Sequence, residues 1–450
     1  MTKNISQSKI YNAVVVLLGA LLMGMLWRVR GTHGWGSSWG LLNAGIVFVL
    51  FITVAIGERK KMNFAWTSLT ALSFMLTVPA WGTLLKQITG VLDFDGTIYE
   101  ISPWSGVFMM VCLGFGLASI FGVMLGRAYS DKQWKLYHVV ILIGVFYAVN
   151  YLAKATVSHW ILQAVQPQAV TAIADDLKAV GLGDNVYKVY MQHFDNDAWA
   201  KKFTVEALGR ISVAGRNYFQ EIMTISSAIS AIAVLLTTRF VIKDKRAALT
   251  GAVTCGAFAF AITVADLFFW FEAKGYNVPD TYASWSLWEY FTGFIAGGII
   301  TAFLVSLSKK DDVPESAFTK LPDKAKTVFT FLLGYIGMIG ISVVRPVLER
   351  FDTSDLQIVY TVISVLVALV IVVLLAKKYG CALQKIPYKT FCAFALPCFM
   401  VYMYIIYMFL CSPEYQNYTG FNSIHNICVT ISTVCILLWS ALQIKKLKNK

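Results

Sequence analysis

Uncharged apolar runs of about 20 residues recur along the whole chain, and each has the length of an α-helix that crosses the hydrocarbon core of a bilayer. Of the 450 residues, 57% are hydrophobic and only 14% are charged. Soluble domains carry about 25% charged residues. The composition therefore excludes a water-soluble globule, a disordered chain and a coiled coil, and it predicts an all-α, polytopic integral membrane protein.

Twelve apolar segments are long enough to be transmembrane helices. Their bounds are 10–27, 40–57, 63–85, 105–126, 136–157, 222–242, 247–271, 287–308, 327–344, 356–376, 390–411 and 424–443. Basic residues concentrate in alternate connectors, near Arg59, Arg127, Lys243, Lys309 and Lys377, and in the C-terminal tail. Because cytoplasmic connectors are enriched in Lys and Arg, this alternation predicts that both termini lie in the cytoplasm.

The connector at residues 158–221, between the fifth and sixth spans, is predicted to lie outside the cell as a helical insertion. Helical stretches are expected at Ala169–Val180 and Trp199–Arg216, separated by a break that contains Gly181 and Gly183. We expect this insertion to cover part of the outer surface of a single transmembrane domain, residues 1–450. The cytoplasmic connectors are too short for a nucleotide-binding or signalling domain.

The connector between the first two spans has the most unusual composition. Four glycines between positions 31 and 40 allow the backbone to fold closely around a ligand. Charged, titratable and aromatic side chains accompany them: Arg28, Arg30, His33, Trp35 and Trp39. This combination predicts a binding loop for polar or anionic groups. The alternative is an interfacial hairpin whose tryptophans belong to the aromatic belt and whose arginines reach lipid phosphates.

Ionisable side chains near span ends are the next candidates, because charge in a bilayer is costly and usually functional. Asp266 and Glu289 lie at predicted outer ends among aromatic residues, and Glu272 follows Asp266 by six positions. That spacing is about 240° around a helix, so Asp266 with Glu289 is the better catalytic pair. Further substrate-binding candidates are Lys154, His159, Trp285, Trp288 and Arg345. Ordinary structural roles, such as snorkelling for Lys154, remain the alternatives.

Asp93 and Asp95 lie in Val91–Ile98, which resembles the first motif of haloacid-dehalogenase-type phosphatases. That family needs a soluble α/β domain with further motifs, whereas this segment connects two spans, so we reject the assignment. We interpret both acids as lining the outer cavity. Neither they nor the eight cysteines have a recognisable metal-ligand spacing, so no metal or cofactor is predicted.

Function is predicted from the one-sided distribution of these residues. Only Trp66, Trp134 and Trp439 of the 13 tryptophans are expected in the inner half, and aromatic rings beside carboxylates suit a sugar. A carboxylate pair can act as general acid and base on a glycosidic bond. The sequence thus predicts a membrane enzyme that hydrolyses or transfers a glycoside or glycolipid taken from the outer face.

A secondary transporter or facilitator for a sugar or another small polar solute is the alternative, because twelve spans with both termini inside is a common transporter arrangement. Transporters place their coupling groups near the bilayer midplane, however, and the ionisable candidates here cluster towards the outside. A sensory or assembly protein is a third possibility. We expect the bilayer and a small-molecule or glycan substrate as partners, no nucleic acid, and a bacterial cytoplasmic membrane as the location.

Overall fold

Helices form most of the regular structure in the computed structural model of the chain. The structure describes residues 9–30, 38–57, 64–76, 86–94, 97–130, 134–179, 183–192, 209–276, 283–308, 388–405 and 423–449, with Tyr407 and a few other single positions. Two predicted spans, 327–344 and 356–376, lie outside the described residues. Every other predicted span contains a helix.

The first half of the chain contains α1 (Lys9–Arg30), α2 (Ser38–Ile56), α3 (Phe64–Phe74), α4 (Pro103–Leu117), α5 (Ser119–Arg127), α6 (Leu136–Ala155), α7 (Val157–Val165), α8 (Pro167–Ala179) and α9 (Val186–Gln192). Between α3 and α4 lie a 3₁₀ turn, Gln87–Thr89, and an antiparallel hairpin of β1 (Val91–Phe94) and β2 (Thr97–Glu100). The strands pair Val91 with Glu100 and Phe94 with Thr97. Apart from this short hairpin, the regular structure of the described residues is helical, as the sequence predicts.

The second half contains α10 (Gly209–Leu236), which continues as a π-helical segment at Thr237–Val241, then α11 (Lys245–Ala265), α12 (Leu267–Ala273), α13 (Ser284–Leu307), α14 (Tyr388–Ile405) and α15 (Ile424–Lys448). Asp266 is the residue between α11 and α12.

Membrane character follows from the length and composition of these helices. Six described helices are long and apolar enough to cross a membrane, and α4 with α5, bent by 43°, adds a seventh if the pair is one span. Shorter apolar helices lie at Gly40–Ile56 and Lys389–Ile405. The prediction of a helical membrane protein is therefore confirmed, whereas the number of twelve spans and their orientation stay predictions.

Glycines allow α1 and α13 to pack closely as an antiparallel pair. A Cβ atom at Gly293 would overlap the carbonyl oxygen of Met23, and one at Gly297 would lie 2.7 Å from the carbonyl oxygen of Gly19. Small residues at such contacts favour association in a bilayer because they let the backbones gain dispersion contacts. The packing holds the C-terminal end of α1 against the N-terminal end of α13.

A second close contact joins α5 to α11, also antiparallel. A Cβ at Gly122 would lie 2.6 Å from Thr254 Cβ, and one at Gly126 would lie 2.7 Å from Ala247 Cα. The first turn of α11 is capped by Asp244, which accepts from Ala247 N at 2.9 Å and from Trp134 Nε1 at 2.6 Å. Asp244 is thus a buried acid with a structural role, at the end of α11 opposite to Asp266.

Three helices occupy the first part of the long connector. The predicted helix at Ala169–Val180 corresponds to α8, and the expected break follows it, where Gly181 and Gly183 have φ angles of 79° and 93°. A positive φ is readily adopted only by glycine. Asn185 then caps α9 by accepting from the backbone N–H of Lys188 at 2.9 Å. Of the second predicted helix, residues 199–208 lie outside the described residues and the remainder begins α10.

Candidate functional site

Arg28, Arg30 and Glu289 form a buried cluster, the arginine cluster, where α1 meets α13. Arg28 Nη1 donates to Glu289 Oε2, and Arg30 Nη2 lies 4.0 Å from Glu289 Oε1. None of the three residues is more than 3% exposed. Both arginines occupy the last turn of α1, where the helix dipole favours positive charge. The described cluster thus contains two guanidinium groups around one carboxylate.

Aromatic rings surround the two guanidinium groups. Arg30 lies 4.0 Å from the centroid of the Trp27 ring, and Arg28 lies 5.6 Å from that of the Tyr407 ring. Such contacts stabilise a cation that has lost part of its hydration. The hydroxyl of Tyr407 donates to Asn426 Oδ1 at 2.6 Å, so the first turn of α15 also belongs to this region. An arginine flanked by π-faces and hydrogen-bond donors is well arranged to hold a planar anionic group.

Two tryptophans of α13 line the same region. Trp285 is 42% exposed and its ring centroid lies 6.2 Å from that of the buried Trp288. Within the described part of the chain, the indole N–H of Trp288 has no hydrogen-bond acceptor. His425 is buried on α15, with Nε2 3.3 Å from Ser423 Oγ. The site therefore combines an exposed ring, an indole donor and a titratable ring.

Asp266 lies in a separate, fully buried environment at the break between α11 and α12. Its Oδ1 accepts from the backbone N–H of Lys86 at 3.3 Å, at the start of the 3₁₀ turn. The ammonium group of Lys86 lies 5.6 Å from the centroid of the Phe269 ring. Asp266 Oδ2 has no hydrogen-bond partner among the described residues. The carboxylate thus joins a helix break to the turn that precedes the β-hairpin.

The predicted catalytic pair, Asp266 and Glu289, faces different partners. Asp266 contacts Lys86, whereas Glu289 contacts the two arginines. The ring centroid of Phe269, beside the Lys86 ammonium group, lies 5.8 Å from that of Trp285. The two carboxylates therefore have different partners, and their action as one acid–base pair remains a prediction.

The other predicted site residues are distributed around this region. Glu272 is exposed and accepts from Ser284 Oγ, which links α12 to the start of α13. Lys154 is half-buried near the end of α6, and His159 is buried in α7. His33, Trp35, Asp95 and Arg345 lie outside the described residues. For Trp39 and Asp93 only the backbone, in α2 and β1, is described.

Burial lowers the pKa of His159 to about 4. Its ring meets that of Tyr187 edge-on, with centroids 4.3 Å apart. A histidine in an unfolded chain has a pKa of about 6.5, so the unfolded state binds the proton more readily between these values. The folded state therefore loses stability as the pH falls from about 6.5 towards 4. We expect the Tm of the wild type in detergent micelles to fall more steeply over this range than that of His159→Phe, and equal slopes would contradict this assignment.

Several polar residues near the site were missed by the sequence reasoning. They are Lys86, Gln87, Gln166, Glu221, Tyr407, His425 and Asn426. His425 and Asn426 lie inside the predicted span 424–443, and polar groups within a span are themselves a functional signal. Gln87 and Gln166 carry no charge and lie in connectors, so only the structure reveals that both contact Glu221.

No family model matches this chain, and neither does any curated protein or solved structure. Its function is therefore inferred from the geometry of the arginine cluster and its surroundings.

Proposed function

We propose that this protein is an integral-membrane enzyme that binds an anionic glycoside or glycolipid at the arginine cluster and hydrolyses it or transfers its glycosyl group. We further propose twelve spans with both termini in the cytoplasm, which puts the cluster near the outer face of a bacterial cytoplasmic membrane. The substrate would then enter from the outer leaflet or from the space outside it.

This proposal depends on one observation: Arg28 and Arg30 meet at the buried carboxylate of Glu289. The indole rings of Trp285 and Trp288 lie beside it. A guanidinium group binds a carboxylate or phosphate through two parallel N–H donors, which fixes the orientation of the anion. Trp285, being partly exposed, offers its ring to the apolar face of a sugar. These groups lie on α1, α13 and α15, whose ends close packing holds together.

Each residue has a proposed role in the reaction. Arg28 and Arg30 bind the anionic substituent, and Trp285 stacks against the sugar ring. Glu289 exchanges a proton with the glycosidic oxygen or with the attacking hydroxyl group. Asp266 would serve as the second carboxylate only if its hydrogen bond with the backbone N–H of Lys86 breaks.

A matched pair of glycolipids tests the proposed specificity. We expect purified protein to bind glucuronosyl diacylglycerol at least about tenfold more tightly than glucosyl diacylglycerol, since a good charge-assisted contact contributes 1.4 kcal/mol or more. Arg30→Gln should remove most of this preference, whereas Glu100→Gln, at an exposed acid of the β-hairpin, should leave it unchanged. Binding is measured by tryptophan fluorescence and turnover by mass spectrometry of the products.

Equal affinity for the charged and the neutral glycolipid would exclude an anion-binding role for the cluster. If the protein binds the charged glycolipid preferentially but forms no product, the proposed binding site is kept and the proposed enzymatic activity is rejected. In that case the protein would be a binding or transport protein.

Transport is the second candidate function, and the interrupted helices favour it. Among the described helices, α4 and α5 form a pair that meets at 43°. Discontinuous helices frequently form the substrate and ion sites of secondary transporters. Counterflow of a labelled sugar in proteoliposomes distinguishes the two functions, because an enzyme that acts on one face gives no counterflow.

A further inference from the structure

Three buried polar side chains form a closed ring, the Gln–Gln–Glu ring, between the 3₁₀ turn, the junction of α7 with α8, and α10. Gln87 Nε2 donates to Glu221 Oε1 at 3.1 Å, and Gln166 Nε2 donates to Gln87 Oε1 at 2.9 Å. On the third side, the side-chain oxygen of Gln166 lies 2.8 Å from Glu221 Oε1 and 3.3 Å from Oε2. Each of the three residues is at most 2% exposed.

The ring has three sides but only two amide donors. Each glutamine presents its NH₂ group on one side and its oxygen on the other, and an ionised Glu221 presents only acceptors. If the Gln166 amide is turned over, it donates to Glu221, but its oxygen then lies 2.9 Å from Gln87 Oε1. Turning Gln87 as well moves the pair of oxygens to the side between Gln87 and Glu221. Every orientation of the two amides therefore leaves at least one contact between two acceptors.

We infer that Glu221 holds a proton in this conformation, so that the Gln–Gln–Glu ring is a proton-binding site. The protonated carboxyl group supplies the third donor, and its hydroxyl donates to the oxygen of Gln166. The separation of 2.8 Å is the usual length of an O–H···O hydrogen bond. Without that proton, two buried acceptor oxygens would face each other at this distance with no hydrogen between them, which is costly away from water.

A nearby cation would favour the ionised form of Glu221, and the charged groups close to the ring make other contacts. Lys86 precedes Gln87, but its ammonium group lies over the ring of Phe269, and its backbone N–H donates to Asp266. His159, on α7, meets the ring of Tyr187. Among the described residues, no cation is within ion-pair distance of Glu221.

The protonated ring connects the 3₁₀ turn to α10, and the same turn also contacts Asp266. Gln87 lies on the 3₁₀ turn, and the preceding residue, Lys86, donates its backbone N–H to Asp266. Asp266 precedes the helix α12, which contains Phe269. Loss of the proton would leave two acceptors facing each other and weaken the attachment of the turn to α10. The Gln–Gln–Glu ring consists of residues outside the arginine cluster, so either proposal can fail without the other.

Infrared difference spectroscopy on the full-length protein in micelles tests the inference. At pH 7 we expect the wild type to show the carbonyl-stretch band of protonated carboxylic acids, shifted in D₂O, and Glu221→Gln to show a band weaker by one carboxyl group. Glu221→Gln should fold, because three amides can satisfy all three sides of the ring. The control Glu100→Gln, at an exposed position, should retain the band.

Thermal stability gives a second measurement. Because the folded state would hold a proton that an unfolded chain releases at neutral pH, the Tm of the wild type should fall with rising pH more than that of Glu221→Gln. Three results would each overturn the inference. They are a carboxylic-acid band of unchanged intensity in Glu221→Gln, failure of that variant to fold, and a Na⁺-dependent rise in Tm that Glu221→Gln abolishes. The last result would place a cation between the oxygens.

Discussion

Replacement of Glu289 by Gln is expected to destabilise the folded protein by about 3–5 kcal/mol, because it removes the buried carboxylate that two guanidinium groups face. The neutral amide keeps the shape of the side chain, so the effect reports the lost charge. The free energy of unfolding is measured by denaturant titration in mixed micelles. Binding of an anionic glycolipid should also change, since the positions of Arg28 and Arg30 depend on this carboxylate.

Glu272→Gln is the matched control for that substitution. Glu272 is also a glutamate near the start of α13, but it is exposed and accepts only a hydroxyl group of Ser284 among the contacts described for it. An exposed polar contact contributes about 1 kcal/mol or less, so this variant should stay close to the wild type. Similar losses in both variants would mean that the arginine cluster has no special role in stability.

The second large effect is expected for Gly293→Leu, which should prevent accumulation of folded protein. A Cβ atom at this position would overlap the carbonyl oxygen of Met23 and lie 2.5 Å from Trp27 Cβ. Because the overlap involves backbone, α1 and α13 must separate, and we expect a cost of about 3 kcal/mol or more. Their separation would also pull Arg28 away from Glu289. Yield of monodisperse protein in fluorescence-detected size-exclusion chromatography measures the effect.

Gly256→Leu provides the same chemical change without the overlap. A Cβ at Gly256 meets no atom within 4 Å, and the residue is exposed on α11. Its Leu variant should accumulate as the wild type does, because a lipid-facing leucine is favourable in a membrane helix. Equal yields of the two variants would show that the contact between α1 and α13 tolerates separation.

Much of the candidate site follows from the sequence because its residues are chemically unusual for their positions. Charged groups at span ends are rare and costly, so Arg28, Arg30, Asp266 and Glu289 stand out without any structure. The sequence also favours Asp266 with Glu289 as the better carboxylate pair, since Asp266 and Glu272 are about 240° apart around a helix. In the structure Glu289 contacts the arginines, and Asp266 accepts from the backbone N–H of Lys86.

Some of the missed residues look ordinary when each is considered alone. Gln87 and Gln166 are neutral and lie far apart along the chain, so no periodicity joins them to Glu221. Gly293 and Gly297 recur one helical turn apart, and their spacing indicates a helix contact. It does not indicate which helix is the partner, because the complementary surface of α1 is defined by shape.

Membrane insertion depends on hydrophobic length and on the distribution of positive charge, which are sums along the chain, so the sequence alone determines that this protein is a bundle of apolar helices with polar ends. Which polar groups meet depends on how closely the helices approach and in which rotation. Backbone contacts at glycines decide both for α1 and α13, and the hydrogen bond between Tyr290 and Ser432 joins α15 to α13. The arginine cluster and the Gln–Gln–Glu ring are therefore properties of the tertiary structure, since each is assembled from residues that are distant along the chain.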